Sequence, residues 1–206
     1  MSKNLLKRIV TSFFLLSILI IVNFSHHFIF ILSLLIVGLI VCFEFNNILA
    51  KLINFNSADH KIINKRINFK FLLLNIIVYC YIFLIFCQYS YAIHKQEGPI
   101  FFIYLISICF FTDIGGYVFG KTIGGKKLTK ISPNKTVSGS IGSFVTSIFS
   151  LLLFVNLEYL ELEFNINNIF FCLIISLISQ LGDLFVSYLK RKANIKDTGK
   201  ILPGHG

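Results

Sequence analysis

Ile100-Phe101-Phe102-Ile103-Tyr104-Leu105-Ile106-Ser107-Ile108-Cys109-Phe110-Phe111-Thr112-Asp113-Ile114-Gly115-Gly116-Tyr117-Val118-Phe119-Gly120 reads as a membrane-crossing helix with one discordant residue, Asp113. About 20 apolar residues cross the roughly 30 Å of bilayer hydrocarbon. A carboxylate inside such a run costs several kcal/mol unless it is paired, protonated or metal-bound. Two further acids, Glu44 and Asp183, stand in similar surroundings. The chain has nine acidic residues in all, so a third of them placed there calls for a chemical reason.

The rest of the chain agrees with a membrane setting. Of its 206 residues, 56% are hydrophobic without counting glycine, against about 45–50% in soluble domains with glycine counted. Mean hydropathy is +0.82. Six segments are long enough to span: Ile9–Phe24, Phe28–Phe45, Phe71–Tyr89, Ile100–Gly120, Ile141–Leu157 and Ile169–Leu189. The expected fold is therefore all-α, a polytopic integral membrane protein of about six transmembrane helices forming a single transmembrane domain over 1–206. The first segment follows Lys3, Lys7 and Arg8 as a signal peptide would, but no small-x-small site follows it, so it reads as a retained helix.

Charge sets the expected orientation. With the N-terminus in the cytoplasm, 18 of the 19 Lys and Arg residues fall on the inner side, and only Lys95 falls outside. That is a strong positive-inside bias. The net charge of +10 is thereby explained by topology, and nucleic-acid binding is not inferred from it. A cationic inner face also attracts phosphorylated lipids and nucleotides. The expected location is the cell (inner) membrane, with Glu44, Asp113 and Asp183 all toward the cytoplasmic side.

The five cysteines (42, 80, 87, 109 and 172) lie within spans and form no CxxC pair. They read as buried thiols acting as small hydrophobes. His26 and His27 fall at a short outer turn.

Two polar segments follow the acid-bearing helices. In the first, Gly115 through Thr122 matches the phosphate-loop pattern G-x4-G-K-[ST]. That loop needs a strand before it and a helix after it. Here the glycines end a membrane helix, so the match is rejected. The segment nevertheless carries Lys121, Lys126, Lys127, Lys130 and then Ser132-Pro133-Asn134-Lys135-Thr136. Glycine-rich backbone beside a lysine and a hydroxyl can cradle phosphate, and Gly115 and Gly116 admit a helix or ligand close to the backbone. The plain alternative, a solvated topogenic loop, explains the lysines but not Asp113.

In the second, Ser179-Gln180-Leu181-Gly182-Asp183 leads to Ser187, Lys190 and Arg191. Their spacing puts Asp183, Ser187 and Lys190 or Arg191 on one helix face. Asp183 reads as a metal ligand, because carboxylates hold the divalent ions that phosphate substrates need. The competing reading is an ion pair with Lys190 or another lysine.

Ser187-Tyr188-Leu189-Lys190-Arg191, then Lys196-Asp197-Thr198-Gly199 and Leu202-Pro203-Gly204-His205-Gly206, resemble the C-terminal signature of the CDP-diacylglycerol synthases, or phosphatidate cytidylyltransferases. Ser179 to Asp183, Thr112 to Tyr117, Ser132 to Gly139 and the pair Glu44-Phe45 resemble further segments of that family, in order. The resemblance implies the reaction of CTP with phosphatidate to give CDP-diacylglycerol and pyrophosphate. It implies Asp183 and Asp113 as catalytic metal-binding acids, and Lys190 and Arg191 as catalytic cations on phosphate. Lys135, Thr136, Ser132 and Ser187 would bind substrate, with Lys196, Asp197 and His205 on the CTP side. It also implies Mg2+, a monovalent cation such as K+, and a homodimer in the lipid bilayer.

One departure stands out. The family signature continues with another Gly, an Asp-Arg-x-Asp element and a final helix, whereas this chain stops at Gly206. The expectation is that the last metal-binding element and final helix are missing. The alternatives are then an inactive or split form of the enzyme, or another membrane lipid-phosphate transferase such as a glycerol-phosphate acyltransferase. A transporter fits less well, since acids lining an ion path would be spread through the membrane depth.

Overall fold

In the computed structural model, the described residues are 3–56, 64–129, 132–158 and 160–195. Their regular elements are helices, in the order α1 (Lys3–Asn23), α2 (His27–Asn56), α3 (Asn64–Cys80), a π-helical turn (Tyr81–Cys87), α4 (Gln88–Gln96), α5 (Gly98–Thr122), α6 (Val137–Leu157) and α7 (Ile166–Lys192). A lone bridge between Lys127 and Thr136 is the extent of extended pairing among them. A bilayer leaves backbone groups no water to bond, and helices satisfy them internally.

Five described stretches are long and apolar enough to cross a membrane: His27–Leu52, Leu72–Gln96, Gly98–Thr122, Val137–Leu157 and Ile166–Lys192. The first expected span is represented by a shorter apolar stretch, Phe13–Asn23. The protein is thus a multi-pass, all-helical membrane protein. Most helices overrun the expected bounds. The second segment continues past Phe45 to Asn56 because Ile48 and Leu49 are buried and hold the extra turns in place.

The chain forms two compact units, Met1–Gln96 with Leu189–Gly206, and Glu97–Tyr188. In the first, His94 of α4 bonds the Asn23 carbonyl at 2.8 Å and stacks on Phe30 of α2, with ring centroids 3.8 Å apart. Glu44 lies half-buried on α2 in this unit. The cysteines are free thiols, as expected, but Cys80 lies exposed on its helix rather than buried.

The second unit is built on α5 and α6. Tyr104, Ile108, Leu151, Phe154 and Cys172 form its buried core, and the Tyr104 hydroxyl meets the Cys172 thiol at 3.1 Å, tying α7 to α5. Where Gly115 and Gly116 face Gly139 and Gly142, the two helices approach closely. A Cβ on Gly115 would stand 2.6 Å from the Gly142 carbonyl oxygen, and one on Gly139 would stand 2.7 Å from that of Gly116. Small residues let membrane helices approach closely where no hydrophobic force drives them together. Hydroxyls then bond across the gap: Ser143 donates to the Thr112 carbonyl and Thr146 to the Phe111 carbonyl, each at 2.7 Å. Gly115 and Gly116 therefore admit a neighbouring helix.

Gly182 differs, since a Cβ there meets nothing within 4 Å. Gly115→Ala should destabilise the protein by about 1–3 kcal/mol, the usual cost of overpacking. Gly182→Ala should be neutral or slightly stabilising, since alanine is the better helix former. Thermal unfolding in detergent compares the two, and equal midpoints would contradict this packing.

Candidate active site

The site lies wholly within the second unit. α5 runs on through Gly115 to Thr122, so the phosphate-loop pattern is helix and not loop, and among the described residues no strand precedes it. Gly124 and Gly125 then turn the chain with φ of +63° and +101°, values at which glycine carries no Cβ penalty. The returning chain pairs with the outgoing one. Leu128 donates to the Lys135 carbonyl at 2.8 Å, and Val137 to that of Lys126 at 3.0 Å. Ser132 accepts from the Lys135 amide at 3.1 Å, closing a tight turn around Pro133 and Asn134.

That ladder delivers Thr136 to the start of α6. Its hydroxyl oxygen accepts from the Gly139 amide at 3.1 Å, with Thr136 in extended conformation. This is an N-cap. The sequence reading expected this span to open at Ile141, but the cap starts it at Val137. The polar run Val137-Ser138-Gly139-Ser140 is thus the first turn of a helix. A helix N-terminus carries partial positive charge and favours anions.

A cavity of about 460 Å3 opens here, lined by Asp113 and Tyr117 of α5, Lys135 and Thr136, Ser140 and Ser143 of α6, and Gln180 and Asp183 of α7, among others. Lys135 forms an ion pair with Asp183. The carboxylates of Asp113 and Asp183 lie within electrostatic reach of each other, with Lys135 offsetting their repulsion. Ser140 donates to the Gln180 carbonyl oxygen at 2.5 Å, joining α6 to α7. The competing reading of Asp183 as an ion-pair partner is thus realised, with Lys135 from the central loop as the lysine.

Of the residues singled out from sequence, the cavity gathers Asp113, Asp183, Lys135 and Thr136. Ser132 does not line it and shapes the turn instead. Ser187, Lys190 and Arg191 follow Asp183 along α7, the last two in its final turn beyond the cavity lining. Lys196, Asp197 and His205 lie outside the described residues. Sequence reasoning gave no role to Ser140, Ser143 or Gln180. The repeat of small and hydroxyl residues at 136, 139, 140 and 143, one helical face, was the available signal.

Could the site hold a divalent cation? Among the described residues, no three His, Cys, Asp or Glu side chains are grouped closely enough to form a metal site on their own. Two carboxylates and several hydroxyls do line this cavity together. Hard oxygen donors, two of them anionic, suit Mg2+, which commonly takes one or two carboxylates and completes its shell with water and phosphate.

Fold and cavity define a multi-pass membrane protein with an acid- and lysine-lined pocket at a helix N-terminus. Residues 55–206 match the cytidylyltransferase family, and the chain belongs to that family. It is 40% identical over 117 residues to a phosphatidate cytidylyltransferase of Helicobacter pylori (strain ATCC 700392 / 26695), covering 56% of this chain and 43% of that protein. It is 43% identical over 119 residues to that of Staphylococcus aureus (strain COL), covering 54% and 43%. For the Staphylococcus haemolyticus protein the figures are 39% over 121 residues, 58% and 45%. The chain thus spans less than half the length of the curated relatives it matches.

The ion pair leaves its partners 27% and 60% exposed, and exposed pairs contribute about 0–1 kcal/mol. Lys135→Ala should therefore change unfolding stability by less than about 1 kcal/mol. A larger loss by chemical denaturation in detergent would mark Lys135 as structural rather than functional.

Proposed function

We propose that this chain carries the catalytic site of a phosphatidate cytidylyltransferase, joining CTP and phosphatidate to give CDP-diacylglycerol and pyrophosphate. The observation that carries this reading is the meeting of Asp113, Asp183 and Lys135 in one cavity at the capped N-terminus of α6. The names of the relatives support it.

The phosphate of phosphatidate has its second pKa near 6, so it is largely dianionic and needs no strong base. One of its oxygens attacks the α-phosphorus of CTP. The bond from that phosphorus to the bridging oxygen breaks, and pyrophosphate leaves with the electron pair. The obstacle is bringing two anions together, so positioning and electrostatic stabilisation supply most of the rate.

Asp113 and Asp183 would hold Mg2+, which when bound neutralises phosphate charge and orients the oxygens. Lys135 and the first turn of α6 would draw the phosphates in, and Thr136 would fix that turn. Lys190 and Arg191 are proposed as further phosphate contacts, Ser132 and Ser187 as substrate contacts, and Lys196, Asp197 and His205 as nucleotide contacts. Those roles, a K+ ion and a homodimer rest on the family resemblance. The Lys and Arg bias supports an inner-membrane setting with the site facing the cytoplasm, where CTP is dissolved and phosphatidate is reached sideways from the leaflet.

Purified chain in lipid nanodiscs should release pyrophosphate only when CTP, phosphatidate and Mg2+ are all present. Asp183→Ala and Asp113→Ala should each abolish the release. Turnover unchanged by Asp183→Ala would overturn the assignment. Turnover of an acyl donor in place of CTP would point to a different lipid-phosphate transferase.

A further inference from the structure

Around Asp183 the last helix has little to hold it in register. Gly182 meets nothing within 4 Å. Leu181 and Phe185 are more than half exposed. Shape packing therefore does not fix how Asp183 is presented to the cavity. One turn earlier, Gln180 also lines the cavity, and its amide is bonded at both ends. Its carbonyl oxygen accepts from the Ser140 hydroxyl at 2.5 Å, and its nitrogen donates to the Ser176 hydroxyl at 3.3 Å. Ser176 is fully buried. A hydroxyl can donate or accept, so either orientation of the amide completes the bridge.

The far end of that bridge is equally well anchored. The Ser140 amide donates to the Thr136 carbonyl at 3.1 Å, within the capped first turn of α6. Lys135, the ion-pair partner of Asp183, immediately precedes that turn. Two ties therefore join the same short pieces of chain: Lys135 to Asp183, and Ser140 to Gln180. The first is ionic and its partners are offered to any charged ligand. The second is neutral and persists when charges rearrange.

We propose that Gln180 is a positioning residue, clamping α7 to the first turn of α6 so that Asp183 faces the cavity beside Asp113. The inference rests on the proposed function in taking Asp113 and Asp183 as cation ligands. Partners that hold a metal ligand in place commonly control affinity by about 10–100-fold.

The test uses the full chain purified in detergent, with Mn2+ binding followed by loss of the free-ion electron paramagnetic resonance signal. Asp183→Ala should abolish binding. Gln180→Leu, which keeps the bulk and removes both polar atoms, should weaken it roughly tenfold or more, and so should Ser140→Ala. The double variant should bind no worse than about twofold below the weaker single, because both changes break one bridge. Thermal unfolding midpoints of Asp183→Ala, Gln180→Leu, Ser140→Ala and the double variant should stay close to native.

Native Mn2+ affinity in Gln180→Leu, with binding lost in Asp183→Ala, would overturn the clamp and spare the proposed function. Native affinity in Asp183→Ala would instead overturn the metal assignment. The clamp is then judged separately, by oxidative cross-linking of Lys135→Cys with Asp183→Cys, read as the linked peptide by mass spectrometry. Adding Gln180→Leu should cause loss of that cross-link, and an unchanged yield would overturn the clamp.

Discussion

The contact of α5 with α6 at their glycines is the constraint on which the site depends. An added Cβ would strike the opposite backbone at Gly115 and Gly139, the Ser143 hydroxyl at Gly116 and the Phe119 side chain at Gly142. Close approach lets Ser143 and Thr146 reach the carbonyls of Thr112 and Phe111, the two residues preceding Asp113. Those carbonyls already serve the helix, so the added bonds fix the turn in both rotation and height. Asp113 is thereby held in the cavity that Lys135 and Thr136 also line. Bulky apolar side chains could join two membrane helices, but only at a distance that would carry Asp113 away from Thr136.

Electrostatics explains why the acids stand where the chain turns. A carboxylate at the bilayer centre costs about 2.5–3.5 kcal/mol even on the milder scales. Asp113 lies within three turns of the end of α5 and shares its cavity with Lys135. The Lys126 to Val137 ladder, short as it is, is what brings a loop lysine back to that depth. The lysines of this loop are thus of two kinds. Lys121, Lys126 and Lys127 are exposed, as topogenic charges are, whereas Lys135 is turned into the cavity.

The sequence made some of this legible and hid the rest for physical reasons. An acid inside an apolar run is expensive, so Asp113 and Asp183 stood out without any structure. Lys135 and Thr136 stood out because a cation and a hydroxyl stand together after a glycine-rich stretch and Pro133. The start of α6 at Val137 was not legible, since Ser138-Gly139-Ser140 looks like loop until its partner helix is known. Gly115 and Gly182 look alike in the chain, each near an aspartate. One is pressed against a helix and the other faces open space, a difference set only by what arrives from elsewhere in the fold. Gln180 was hidden because an amide earns its role from its two partners, and Ser140 lies 40 residues away.

Charge balance within the cavity bears on the proposed reaction. With both acids ionised, Asp113, Asp183 and Lys135 carry a formal charge of about minus one, with the partial charge of a helix end as further compensation. A phosphate monoester adds about −1.5 to −2 at neutral pH, and a nucleoside triphosphate adds more. These anions would repel a cavity so constituted. A divalent cation on the two carboxylates reverses the sign of that sum, which is the physical argument for Mg2+ in this reading. It also frees the carboxylates from needing Lys135, whose ammonium can then serve phosphate. On this reasoning the ion pair between Lys135 and Asp183 is a charge held ready at the site, and the neutral bridge through Gln180 is what keeps the helices in place when that charge moves.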